Sequence, residues 1–199
     1  MRLFQFATAA LVTIGLTGVA MASSLPAGGK LNFDVIRKNK DIGDLNYTFS
    51  GNPQAFSVNI VTDIAVKLPL IRVNAYAFEQ VSTESWKNGK LTAIRSNTND
   101  DGTTHEVNLG KTGLLPASLW NDAAVKSRKL LNTIDGSEMA VKIKDMGLQQ
   151  VTTAHGPVQA RHYRISGELN RDVWYDGNGD LAHVVFTADD GSTITYLRK

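Results

Sequence analysis

Between Phe56 and Leu68 the chain alternates with a period of two. Phe56, Val58, Ile60, Ile64, Val66 and Leu68 fall on one side, and Ser57, Asn59, Asp63 and Lys67 on the other; Thr62 is the one polar residue in the apolar row. Successive side chains of a β-strand point to opposite faces, whereas a helix gathers residues three and four apart. The row therefore predicts one long strand with a buried face, reaching roughly 43 Å at 3.3 Å per residue. Strands of that length exceed what a small flat sandwich needs. They suit a strongly curved sheet, or a barrel open at one side.

The rest of the chain supplies matching strands. Leu31, Phe33 and Val35 alternate with Asn32, Asp34 and Ile36, and "LNYTFSG" follows a turn. Pro69 turns the long strand back, since a missing N–H is tolerated at a strand boundary, and Ile71 to Trp86 returns with weaker alternation. Asn88-Gly89 is a hairpin signal, because a type I′ turn needs φ > 0 at both central positions. "KLTAIRSNT", "TTHEVNL", "MAVKIKD", "LQQVTTA", "VQARHYRISGEL", "DVWYD", "LAHVVFTA" and "STITYLR" complete a count of about twelve strands, parted by Gly-containing turns. One stretch reads otherwise. In "PASLWNDAAVKSRKLL", Pro116 suits a first helical turn and Ala123, Ala124 and Lys126 favour helix, so a single short helix is predicted over 116–127. The fold class is mainly β: one strongly curved antiparallel sheet or open barrel of long meanders, with that helix at its concave side or mouth.

The N-terminal residues carry an address. Arg2 precedes an apolar run from Phe6 to Val19, and Ala20-Met21-Ala22 places small residues where a signal peptidase reads. The run is shorter than the roughly 20 residues that span a bilayer. Residues 1–22 are expected to be a signal peptide, 23–30 a flexible leader, and 31–199 a single β-rich domain. No later segment is apolar enough to span a membrane. With no Cys in the chain, disulfides and thiol catalysis are excluded. An exported protein that holds its core without covalent staples points to the periplasm of a Gram-negative bacterium, or to secretion.

Formal charge is +2, with no basic cluster ready to displace counterions, which argues against a nucleic-acid partner. Asp176, Asn178 and Asp180 begin like a calcium loop. An EF-type loop needs Gly at position six and a bidentate Glu at position twelve, and those positions hold Leu181 and Thr187. The stretch also echoes an earlier one. "WKNGKLTAIRSNTNDDGTT" from Trp86 and "WYDGNGDLAHVVFTADDGST" from Trp174 both read Trp, Gly turn, Leu, strand, Asp-Asp-Gly and two hydroxyl residues. Each is expected to be a three-stranded meander with Asp-Gly and Asn-Gly turns. No metal or cofactor is expected. His162 and His183 fall on predicted strands that could bring them together across a sheet, but no two of the four histidines share a helical face. There is no Gly-x-Ser-x-Gly elbow and no glycine-rich loop opening a helix. The carboxylates sit in turns rather than in a motif with a mechanism, and no catalytic residues are assigned.

"LPASLWN", "LLNTIDG", "RHYRISGEL", "DVWYDGNGDL" and "DDGSTITY" resemble an uncharacterised family of exported bacterial proteins, a domain of unknown function, over about Leu45 to Leu197. The resemblance implies a mainly β fold with long curved strands and lends no activity. A more distant, architectural likeness is to the periplasmic lipoprotein carriers, unclosed barrels with a helical plug and an apolar cavity for acyl chains; it carries no residues across. The expected function is non-catalytic: binding of an apolar small molecule such as a lipid or acyl chain on the row Phe56, Val58, Ile60, Ile64, Val66 and Leu68. The alternatives are an envelope module that pairs through its strand edges, and a hydrolase-like enzyme.

Overall fold

The structure is a computed structural model that describes residues 25–67 and 74–199. The expected signal peptide and Leu68 lie outside the described residues. Thirteen strands follow one another: β1 (Lys30–Arg37), β2 (Lys40–Asn52), β3 (Ala55–Lys67), β4 (Asn74–Lys87), β5 (Lys90–Asp100), β6 (Thr103–Leu109), β7 (Leu115–Pro116), β8 (Lys129–Leu131), β9 (Glu138–Thr153), β10 (Gly156–Gly167), β11 (Arg171–Asp176), β12 (Leu181–Thr187) and β13 (Thr193–Arg198).

They form one sheet in the order β6-β5-β4-β3-β2-β1-β13-β12-β11-β10-β9-β8-β7. Two runs of sequential hairpins, β1 to β6 and β13 back to β8, meet where β1 pairs antiparallel with β13, Val35 opposite Tyr196. Among the described residues only β7 and β8 run parallel. The sheet does not close, and β6 and β7 are its edges. Between them the loop at Gly136 packs against Val107 and Leu109 of β6, so side chains bridge the seam where a ladder would otherwise run.

Turn chemistry sets the hairpins. Lys38 and Asn39 both have positive φ, as do Asn88 and Gly89, the signature of two-residue turns whose twist matches the strands. Gly43 has φ +148, and a β-carbon there would collide with the Asp63 carbonyl on β3. A side chain at that position would push β2 off β3 beside the Val35/Ile36 bulge. The predicted break between "MAVKIKD" and "LQQVTTA" is a bulge inside a single strand: Gly147 (φ +87) accommodates it and donates its N–H to Asp145.

The alternating row lies on the concave face. Phe56, Val58, Ile60 and Ile64 join Phe33, Val35, Leu45, Tyr47, Val173, Leu181 and Val184 in the main core. A smaller core lies on the convex side, where Val151, Ala160, Trp174 and Ala182 pack together. There the tip of the β9–β10 hairpin is anchored by Ala154 N–H donating to the Arg198 carbonyl.

The predicted helix over 116–127 is not formed. Pro116 belongs to β7, and only Asp122–Lys126 coils, as a 3-10 turn whose start is capped by Asn121 accepting from Ala123 N–H. An α-helix would use the carbonyls of residues 118 and 119 for its own ladder. Here they accept hydroxyls instead: Tyr47 donates to Ser118 and Tyr175 to Leu119, each at 2.7 Å. Leu119 holds φ +61 to deliver Trp120 inward. Of the expected leader, Leu25 packs against the core and residues Ala27–Gly29 form a 3-10 turn.

Candidate functional site

Four cross-strand rows line the concave face of β3, β4 and β5. Phe56 opposes Trp86, then Leu91; Val58 opposes Glu84, then Ile94; Ile60 opposes Ser82, then Ser96; Thr62 opposes Gln80, then Thr98. All of these side chains are buried. Gln80, Ser82, Glu84, Ser96 and Thr98 therefore put a polar wall inside the barrel, facing the apolar residues of β12 and β13.

At the deep end of that wall is Glu84, fully buried. Its Oε2 accepts the indole N–H of Trp86 at 2.9 Å and that of Trp120 at 2.8 Å. Ser118 comes near without closing a hydrogen bond, and Oε1 has no partner. No cation pairs with the group among the described residues. Burial pushes the Glu84 carboxyl above its ordinary range, and the nearby Ser118 together with the hydrogen bonds from Trp120 and Trp86 pulls the other way. Trp120 closes the box edge-on to Trp86, Phe49 and Phe56, with centroids 5.3, 5.1 and 5.9 Å away. The two tyrosine hydroxyls and the Trp120 indole pin the 117–120 segment across this part of the interior, and that anchoring offsets the positive φ of Leu119, a strain of about 1–2 kcal/mol.

Beyond the box the interior is hollow. A cavity of about 240 Å³ is bordered by the apolar Leu45, Ile60, Met139, Leu169, Leu181 and Val184 and by the polar Thr62, Gln80, Ser82, Asn132 and Thr133. Gln80 donates to the Thr98 hydroxyl at 2.8 Å and to the Thr133 carbonyl at 3.3 Å. Ser82, 1% exposed, lines the cavity and its hydroxyl has no partner; nor has that of Ser96 opposite it. Arg171 brings a cation to the same space, beside Tyr47 and Tyr196. Its guanidinium carbon lies 3.7 Å above the Phe186 ring, and Nη1 donates to the Asn170 carbonyl at 2.8 Å.

The residues singled out by alternation separate. Phe56 and Val58 are packed in the core, Phe56 stacked on Trp86. Ile60 borders the interior cavity. Ile64, four residues on, is buried, and Val66 lines a larger recess of about 870 Å³ at the end where β1 turns into β2, among Arg37, Lys38, Lys40 and Asp63. Arg171 and Glu84 were not foreseen. Glu84 had a signal, since Gln80, Ser82, Glu84 and Trp86 share one parity on a strand opposite the apolar row.

On the convex side His162, Trp174 and His183 stand in one row across β10, β11 and β12. The two histidines do not meet; Trp174 separates them, stacked on His162 at 4.1 Å and edge-on to His183 at 5.3 Å. His162 Nε2 lies 2.6 Å from Asp172, which also accepts from Arg164. Burial lowers the His183 pKa. The loop that begins like a calcium site is a turn: Asp176 accepts N–H groups from Asn178 and Asp180 and pairs with Arg198 at 2.7 Å. Among the described residues no group of three or more metal-ligating side chains is gathered, and no helix is long and apolar enough to cross a membrane.

The model of a family described as a domain of unknown function, DUF6134, matches residues 33–199. Among solved structures the chain is similar to a beta-barrel-like protein of domain of unknown function DUF1849 from Brucella abortus. The TM-score is 0.51 at 12% identity, covering 85% of this chain and 96% of that one. At that identity the likeness speaks for the fold alone. No curated protein matches the chain.

Proposed function

This chain belongs to the DUF6134 family, and we propose that it is a non-catalytic binding protein of the bacterial envelope that holds a small amphiphile inside its open barrel. One observation carries this reading: the hollow between Leu181 and Val184 of β12 and the neighbouring Ile60, Ser82 and Gln80 of β3 and β4. Close-packed interiors leave few voids larger than a water molecule. Ligand pockets run from roughly 300 to 1,000 Å³, so a hollow of about 240 Å³ suits a short alkyl chain and is too small for a whole phospholipid. The binding surface is accordingly Ile60 with the β12 and β13 residues facing it, while Phe56 and Val58 serve the core. The signal-peptide pattern at residues 1–22 supports export.

Titration calorimetry with octanol and octanoate tests the reading. The parent should bind at least one of them. Ile60→Trp, which fills the hollow, should abolish binding while the far-UV circular dichroism stays that of the parent. Overpacking of this kind typically costs about 1–3 kcal/mol, which lowers the melting temperature without unfolding the protein at 25 °C. A parent that binds neither compound would sink the proposal.

A further inference from the structure

Resting on that reading, we infer that the ligand's polar end is an anion of carboxylate type, received by Arg171. The residue opens β11, and its side chain borders the cavity with Leu169, Leu181 and Val184. Among the described residues no carboxylate pairs with it. One face of its guanidinium is covered by Phe186, and one N–H is engaged by the Asn170 carbonyl. A guanidinium cannot shed its proton in a protein, so the charge stays and calls for a counter-charge. Burial disfavours the cation here and the neighbouring Tyr196 favours it, the balance expected where a compensating anion would be welcome.

The fork geometry narrows the class. Five N–H donors in one plane match the two oxygens of a carboxylate, with charge-assisted bonds about twice as strong as neutral ones. The titratable groups bordering the hollow are Arg171, Tyr47 and Tyr196, and burial holds both tyrosines neutral by raising their pKa. Glu84, the buried carboxyl of the same interior, does not border the hollow, and burial favours its neutral form. A second observation points independently to an occupant: the Ser82 hydroxyl, 1% exposed and unpartnered, faces the same space. A monocarboxylate with a short alkyl chain would place its head at Arg171, its tail against Leu181, Val184 and Ile60, and polar atoms or water against Ser82.

The test compares octanoate, octanol and inorganic phosphate on the purified protein and on Arg171→Met and Arg171→Lys, with circular dichroism as the check on folding. The parent should bind octanoate about tenfold or more tighter than octanol, the step that one charge-assisted bond is worth. Phosphate, with the charge but no tail, should bind more weakly than octanoate. Arg171→Met should lose that tenfold for octanoate and leave octanol unchanged, and Arg171→Lys should keep part of it. If octanol binds as tightly as octanoate, or Arg171→Met leaves octanoate unaffected, the head-group assignment fails and the cavity reading stands. If the parent binds neither octanoate nor octanol, the cavity reading falls and this inference with it. Phosphate binding that matches octanoate would show an anion site without an alkyl slot, and overturns the carboxylate-amphiphile assignment. Should Arg171→Met not fold, the octanoate-to-octanol ratio of the parent together with Arg171→Lys decides.

Discussion

Trp86 and Trp174 open two stretches of nearly the same wording, and the fold uses them on opposite faces. Both stand near the end of a strand, each before a Gly-containing turn and a three-stranded meander, β4-β5-β6 and β11-β12-β13. Trp86 points inward, stacks on Phe56 and gives its N–H to a buried carboxyl. Trp174 points outward, gives its N–H to Gln149 at 3.1 Å and lies between two histidines. The inner site is buried and aromatic, and among the described residues no cation pairs with its carboxyl. The outer one sits under a hairpin tip, with Asp172 and Arg164 at its border. A turn phrase thus sets where strands begin and end. Which side of the sheet becomes the interior depends on the parity of each strand against its neighbours, and a one-residue slip reverses it.

The largest effect should separate the two tryptophans directly. Truncating a core aromatic costs about 3–5 kcal/mol, and Trp86→Ala should fall in that range because it also removes one of the two donors to Glu84. Trp174→Ala should cost roughly half as much, since its buried apolar companions are the small Val151, Ala160 and Ala182. Urea unfolding of both variants measures this. Equal losses would mean that the convex cluster is as much a core as the barrel.

A smaller effect concerns pH. Burial raises the folded-state pKa of Glu84 above its ordinary value of 4.5, so the folded protein binds this proton more tightly than the unfolded chain. That contribution is fully present below the unfolded pKa and is lost as pH rises through the folded one. Glu84→Gln, which keeps the shape and removes the charge, should therefore gain stability relative to the parent as pH rises above 4.5, with a slope of at most about 1.4 kcal/mol per pH unit. Trp174→Ala leaves Glu84 untouched and should keep the parent's dependence. Parallel stability–pH curves for parent and Glu84→Gln would show that folding does not raise the pKa of this carboxyl.

The smallest effect tests the turn after Trp174. Asp180 is half-buried beside Asp176, and both burial and that neighbour raise its pKa. Asp180→Asn should change stability by no more than about 0.5 kcal/mol, the usual range for a partly exposed, solvent-screened position. Calcium should leave the melting temperature of parent and variant alike. A calcium-dependent rise in the parent that vanishes in Asp180→Asn would restore the metal reading.

Much of the architecture was legible. The alternation from Phe56 to Val66 became β3 with its apolar residues inward, and the Asn88-Gly89 signal became a two-residue hairpin. The stretch 116–127 has helical composition but no helix, because Tyr47, Tyr175 and Glu84, distant in sequence, claim the groups a helix would have used or displaced. The hollow was only half legible. The apolar row was visible, but Phe56 packs on Trp86 and Trp120 and Val58 belongs to the core, and half of the polar wall beside it came from β4, whose alternation looked weak.

By itself the sequence determined a β-rich chain of long hairpins, the places where most of them turn, and the strand faces that had to be buried. Those properties arise from side-chain period and from backbone preferences within a few residues. Only the tertiary structure decided that β1 and β13 would join the two runs, that a segment of helical composition would stretch across the interior, and that Arg171 and Ser82 would face one hollow. Each of these brings together residues far apart along the chain, and none has a local signature because the energy that selects it comes from burial and hydrogen bonding across the closed-over sheet.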